Sequence, residues 1–239
     1  MLWPMNHPKI VSQDEWLNAR KALLDKERAF SRERDALSAA RRELPMVKVD
    51  KPYAFEGSSG HKTLPELFDG RRQLIVYHFM FDPSWEEGCK SCSLIMDHVD
   101  GMLPHLGARD TSFAVISRAP LGKLLAFQKR MGWSFPWLSS SESDFNYDYG
   151  VSFRSVDKTE GKDGYNYGTG KFPTSEAPGL STFLREGDAV FHTYSTYSRG
   201  LDILIGTYNY LDLTPLGRQE EDLPYGMAWV KLHDKYAAK

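Results

Sequence analysis

The chain has 239 residues, 41% hydrophobic and 13% aromatic, enough to bury one sizeable core and leave room for an appendage. Its formal net charge of -2 gives no basic surplus for phosphate groups, so nucleic acid and anionic lipid are not expected partners. The first residues lack a basic segment followed by an apolar run and no stretch is long and apolar enough to span a bilayer, so a cytoplasmic protein with no membrane partner is expected.

From Gln13 to about Glu43 the chain is nearly free of breakers and rich in Ala, Leu, Glu, Lys and Arg. Ser12 with Glu15 three residues on forms a capping-box signature, so the spacing predicts a long helix that Pro45 ends. Trp16, Leu23, Phe30, Leu37 and Leu44 recur every seventh residue, while Arg20, Glu27, Arg34 and Arg41 occupy the second seam position. One apolar residue per heptad suits a stripe laid on the helix's own domain, with packing on a second subunit, a homodimer through this arm, as the alternative.

A β-type segment at 46–50 leads to Tyr53-Ala54-Phe55, a turn at 57–60, and one helical turn capped by Thr63 and closed by Gly70. Residues 74–81 read as a buried strand, 91–105 as a helix carrying Leu94, Ile95, His98, Val99 and Met102, and 112–117 as a second buried strand. A helix from Leu121 to Met131 starts after Pro120 and stops at Gly132, followed by a strand candidate at 135–138. Residues 154–179 are rich in Gly, Lys, Asp, Tyr and Pro without apolar periodicity and read as a long surface loop. A hairpin then joins 180–185 to 189–194 through Glu186-Gly187-Asp188, and 201–211 looks helical. The sequence thus predicts an α/β layer structure: a helical arm over residues 1–46, and a domain over 47–239 with a loop insertion near 154–179.

The chain has two cysteines, Cys89 and Cys92, placed between the 74–81 strand and the following helix. A thiol at a helix start is stabilised as thiolate by unpaired backbone N–H groups and the helix dipole, which suits Cys89 as a nucleophile. Cys92, three residues on, lies on the same side and can attack a mixed disulfide at Cys89. Lys90 favours the thiolate, while Glu86 and Glu87 oppose it. The other use of Cys-x-x-Cys is as half of a zinc or copper site, but no second Cys or His pair follows at ligand spacing, so no metal residues are assigned. Neither Cys has Thr or Ser three residues before it, so the peroxiredoxin cysteine pattern is absent.

The stretch from Gly70 to Gly101, with Phe81-Asp82-Pro83-Ser84-Trp85-Glu86-Glu87-Gly88-Cys89-Lys90-Ser91-Cys92-Ser93, resembles the domain-of-unknown-function family numbered 899. The resemblance extends to Phe191-His192-Thr193-Tyr194-Ser195-Thr196-Tyr197-Ser198-Arg199-Gly200-Leu201-Asp202 and to Leu211-Asp212-Leu213-Thr214-Pro215-Leu216-Gly217-Arg218, and covers most of the chain. It implies a thioredoxin-like central sheet flanked by helices, and dithiol-disulfide oxidoreductase activity with no cofactor beyond the redox-active disulfide. The partners so implied are a disulfide-containing protein or small molecule and a thiol reductant. Two features depart from thioredoxins: Ser181 stands where a cis-proline would precede the strand facing the cysteines, and Trp85 is four residues before Cys89 instead of adjacent.

His192 and Tyr194, two apart on a strand, are expected on one face, and with Tyr197 and Arg199 they offer a base, hydroxyls and a guanidinium. Expected site-lining residues are therefore Trp85, Lys90, Ser181, His192, Tyr194 and Arg199 around Cys89 and Cys92. A non-catalytic metal-binding module and a dimeric interaction protein stand as the alternatives to an oxidoreductase.

Overall fold

A computed structural model describes residues 8–154 and 164–237, and the chain divides into two compact units, 1–45 and 46–239. The first unit is helix α1 (Gln13–Arg42). The Ser12 hydroxyl accepts from the Glu15 N–H and the Glu15 carboxylate accepts from the Ser12 N–H at 2.9 Å, satisfying two of the donors a helix start leaves bare. Arg41 and Arg42 in the last turn complement the dipole, and the helix ends before Pro45.

In the second unit one sheet runs through every strand. Its elements are β1 (Val47–Lys48), β2 (Ala54–Gly57), β3 (Gly60–Thr63), β4 (Gln73–His78), β5 (Thr111–Ser117), β6 (Trp137–Ser139), β7 (Gly179–Glu186) and β8 (Ala189–Tyr197), in the order β1-β8-β7-β4-β5-β6-β2-β3. Strands β4, β5 and β6 are parallel neighbours, whereas β7 pairs antiparallel with β4 and β8 antiparallel with β7. A central strand leading into the cysteine helix, flanked by a parallel strand on one side and an antiparallel hairpin on the other, is the thioredoxin-like arrangement. Among the described residues, the α-helices of this unit are α2 (Lys90–Met96), α3 (Leu103–Gly107), α4 (Leu121–Met131), α5 (Phe145–Asp148) and α6 (Gly206–Leu211).

Alternation along β4 sorts the core into two layers. Tyr77 faces a cluster with Cys92, Ile95 and Met96 of α2, Leu124, Phe127 and Met131 of α4, and Tyr208 of α6. Leu74 and Val76 face the other layer, with Leu64, Leu67 and Phe68 of a 3-10 helix (Leu64–Phe68) and Phe145 of α5. That 3-10 helix carries the expected Thr63 cap, reinforced by Glu66, and closes with Asp69 in the left-handed region (φ 48°) just before Gly70.

Four expectations are corrected. The helix predicted over 91–105 is three pieces, α2, a 3-10 turn (Asp100–Met102) and α3, because Asp97 and Asp100 accept from Trp133 Nε1 and the Ser134 N–H and Pro104 cannot donate within a continuous helix. The segment 201–211 is a 3-10 helix (Ser198–Leu204) and then α6, with Leu201 and Ile205 drawn into the core at the junction. Residues 58–63, expected as turn and cap, hold a further short strand, β3, paired with β2. The stretch 154–179 forms neither helix nor strand before β7 where it is described and most of its residues are exposed or half-buried, but it is not wholly at the surface: Tyr165, Glu176 and Ala177 are buried, and Tyr165 and Ala177 pack with Val151, Phe153 and Tyr197. Single apolar residues pinned by bridges such as Ser152 with Glu176 leave no periodicity in the sequence to read. The part of that prediction covering 155–163 lies outside the described residues.

Between β4 and α2, Phe79 and Phe81 are buried and the chain bends at Glu86 and Glu87 before passing through Gly88 to Cys89. A Cβ at Gly88 would sit 2.7 Å from Phe79 Cε1 and 3.0 Å from Phe127 Cε1, so the backbone passes over aromatic rings where no side chain fits. Gly88→Ala is expected to destabilise the protein by about 1–3 kcal/mol and to slow alkylation of Cys89, since Cys89 would have to move with the backbone; denaturant unfolding and iodoacetamide kinetics check both.

Candidate functional site

Cys89 is the N-cap of α2 and partly exposed, whereas Cys92, in its first turn, is buried; the two lie 3.7 Å apart as free thiols. The loop is tied to the strand end through the Met80 backbone, whose carbonyl accepts from the Cys89 N–H at 3.1 Å and whose N–H donates to the Cys92 sulfur. The Cys92 thiol, as donor to Cys89, is the largest influence lowering the Cys89 pKa to about 7. The N–H groups of Cys92 and Ser91 and the Lys90 charge add to it, against the opposing effect of burial. Burial, followed by the neighbouring Cys89, pushes the Cys92 thiol well above the ordinary range. The pair therefore has one sulfur poised to ionise and one that holds its proton.

The charges around the loop resolve the competition between Lys90 and the glutamates. Glu87 is paired with Arg130 and Lys235, both at 2.6 Å, so its charge is neutralised locally. Lys90 donates to the Ala228 carbonyl at 2.9 Å, and its Nζ lies 5.9 Å from the Tyr225 ring centre. Trp85 and Cys89 both pack against the core layer that holds Cys92.

A second brace holds the start of the loop. Asp82 accepts from the Ser84 N–H and hydroxyl, from Ser175 and from Arg118. Arg118 also reaches Glu176 at 2.6 Å and the Tyr147 hydroxyl, and Ser152 donates to Glu176 at 2.7 Å. For Asp82 burial opposes ionisation, but Ser84, Ser175 and Arg118 outweigh it and hold the carboxyl below its usual range. For Glu176 burial wins over Arg118 and Ser152 and raises its pKa to about 7.

Comparison with known proteins places this geometry in a family. The family model described as "Bacterial protein of unknown function (DUF899)" matches residues 5–236. The chain belongs to this family. A search of curated proteins found no match. Solved structures similar to this DUF899 protein include a cysteine-to-serine mutant of peroxiredoxin Q from Xylella fastidiosa, with 12% identity and a TM-score of 0.44 over 70% of this chain and 94% of that one. Peroxidoxin BcpB of Mycobacterium tuberculosis is similar with 14% identity and a TM-score of 0.47 over 70% and 97%, and StoA of Bacillus subtilis with 11% and 0.39 over 62% and 89%.

Not all of the expected lining residues gather at the cysteines of the DUF899 protein. Trp85 and Lys90 do. Ser181 pairs with Val76, so it points to the opposite layer, where its hydroxyl bonds His78 Nε2 and Ser195, each at 2.8 Å. His192 continues that row, 2.7 Å from Ser195, and burial lowers the pKa of both imidazoles, His78 to about 3. The expectation that His192 and Tyr194 share a face fails because the β7–β8 register shifts between Thr182 and Phe183: His192 sits opposite Phe183 and Tyr194 opposite Thr182, which are adjacent and point apart. Arg199 is exposed and ion-paired with Asp202 at 3.0 Å, away from this row. Among the described residues no group of three or more His, Cys, Asp or Glu side chains is assembled as a metal site, and no helix is long and apolar enough to cross a membrane.

Sequence reasoning missed Tyr77, Met80, Asp82, Arg118 and Glu176. The first two were legible as neighbours of the loop but not as residues that influence the sulfurs, and the others meet only in three dimensions, 36 residues separating Asp82 from Arg118 and 58 separating Arg118 from Glu176. Because the folded state raises the Glu176 pKa from 4.5 to about 7, the unfolded chain releases this proton first as pH rises, and stability is lost across that window. The Glu176→Gln variant is therefore expected to gain in thermal midpoint relative to the wild type as pH rises from 4.5 through about 7; a difference independent of pH would contradict the assignment.

Proposed function

We propose that this protein is a thiol-disulfide oxidoreductase in which Cys89 is the nucleophile and Cys92 the resolver. The observation that carries the reading is the asymmetric pair at the start of α2: Cys89 partly exposed and ionising near pH 7, Cys92 buried, protonated and 3.7 Å away. The Cys89 thiolate attacks a substrate disulfide, forming a mixed disulfide and expelling one substrate thiolate, which takes up a proton. Cys92 then loses its proton and attacks the Cys89 sulfur; the intramolecular disulfide forms and the second substrate thiolate leaves and is protonated. The substrate gains two electrons, the pair loses two, and a thiol reductant restores the dithiol. The disulfide substrate is a protein or a small molecule, and the redox-active pair is itself the only prosthetic chemistry required.

Thiol counting by alkylation and mass spectrometry across a graded dithiothreitol buffer, with metal analysis of the same sample, tests the reading. One reversible two-electron transition without stoichiometric metal is expected; thiols that stay reduced throughout, or that a bound metal protects, would overturn it. The alkylation rate of Cys89 should rise with pH to a plateau with its midpoint at about 7. In Cys92→Ala, which removes the largest influence on that thiol, the midpoint should move upward, and an unmoved midpoint would refute the coupling.

A further inference from the structure

Tyr77 lies on the central strand β4 and is 1% exposed, and its hydroxyl has no hydrogen-bond partner among the described residues, sulfur included. A buried phenol left so costs stability unless something else uses the donor. After burial the strongest influence on it is Cys92, which is 1% exposed and belongs to the same core layer. The other phenol close enough to act on Cys92, Tyr165, is committed: its hydroxyl donates to the Pro178 carbonyl at 2.6 Å and accepts from the Ser198 N–H at 2.8 Å. Cys92 thus has the Met80 N–H as its donor, and the Tyr77 hydroxyl, which Cys92 influences, is left with no partner of its own.

We propose that Tyr77 is a positioning residue for the second half of the exchange: its hydroxyl donates to the Cys92 sulfur, holds that side chain toward Cys89 and stabilises the thiolate that closes the disulfide. This inference rests on the oxidoreductase reading above. The need is specific to Cys92, because Cys89 is served by several backbone N–H groups at the helix start, whereas Cys92, also in the first turn, is served only by the Met80 N–H. Burial holds the Tyr77 phenol well above its ordinary pKa, so it remains a neutral donor and never adds a second negative charge. As Cys92 gives up its proton to the departing substrate thiolate and attacks, the Tyr77 bond becomes charge-assisted and strengthens. Once the intramolecular disulfide has formed, the sulfur is a weak acceptor and the bond weakens again.

The test uses dithiobis(nitrobenzoate), an aromatic disulfide that releases one coloured thiolate when Cys89 attacks and a second when Cys92 resolves. In Tyr77→Phe the first release should keep its wild-type rate and the second should slow about tenfold or more, with its pH dependence displaced upward. A second release as fast as in the wild type, with the same pH profile, would overturn the role of Tyr77 while leaving the oxidoreductase reading intact. A wild-type protein that releases only one equivalent would sink that reading and the role of Tyr77 with it. A measurement that leaves Tyr77 in place guards against a variant that fails to fold. The reduced-minus-oxidised infrared difference spectrum of the wild type should contain a phenol band, because disulfide formation removes the hydroxyl's acceptor, and its absence would overturn the proposal.

Discussion

The alternation of side chains along β4 is the constraint on which the rest of the site depends. Tyr77 and His78 are neighbours in sequence and both buried, so they must point to opposite layers of the sheet. One layer receives the thiol chemistry, with Tyr77 under Cys92; the other receives the row His78, Ser181, Ser195 and His192. The two polar systems are close in the chain and separated by the thickness of a sheet. The histidines, both held neutral by burial, are thereby kept from acting as charged partners of the Cys89 thiolate.

The Cys89 acidity follows from the way the loop is returned to the strand. Met80 accepts from the Cys89 N–H through its carbonyl and donates to the Cys92 sulfur through its N–H, so one residue at the strand end meets both cysteines. Gly88 lets the backbone pass over Phe79 and Phe127, and Asp82, bonded by Ser84, Ser175 and Arg118, fixes the other end of the loop. A buried carboxylate with a raised pKa, Glu176, shares Arg118 with Asp82. Single removal of such a partner strands a buried charge, so the brace is more costly to break than its contribution to stability suggests.

Much of the fold was legible in local signals. The capping box at Ser12 and Glu15, the stop at Gly132 and the turn at Gly187 and Asp188 each mark an element end through chemistry confined to a few neighbouring residues. The segments that misled were those whose backbone is satisfied by distant partners. Asp97 ends α2 with its carboxylate turned to Trp133 and His233, and the bulge in β8 rotates His192 away from Tyr194 although their spacing is that of one strand face.

The sequence by itself determined the α/β character, the helical arm, and the presence of a Cys-x-x-Cys pair between a buried strand and a helix, because hydrophobic period, caps and residue spacing are local properties. Only the tertiary structure decided which sulfur ionises, which side of the sheet Ser181 and His192 serve, and that Tyr77, Arg118 and Glu176 belong to the surroundings of the loop. Acidity depends on burial and on the donors brought within bonding distance, and both are created by contacts between residues the chain order keeps apart.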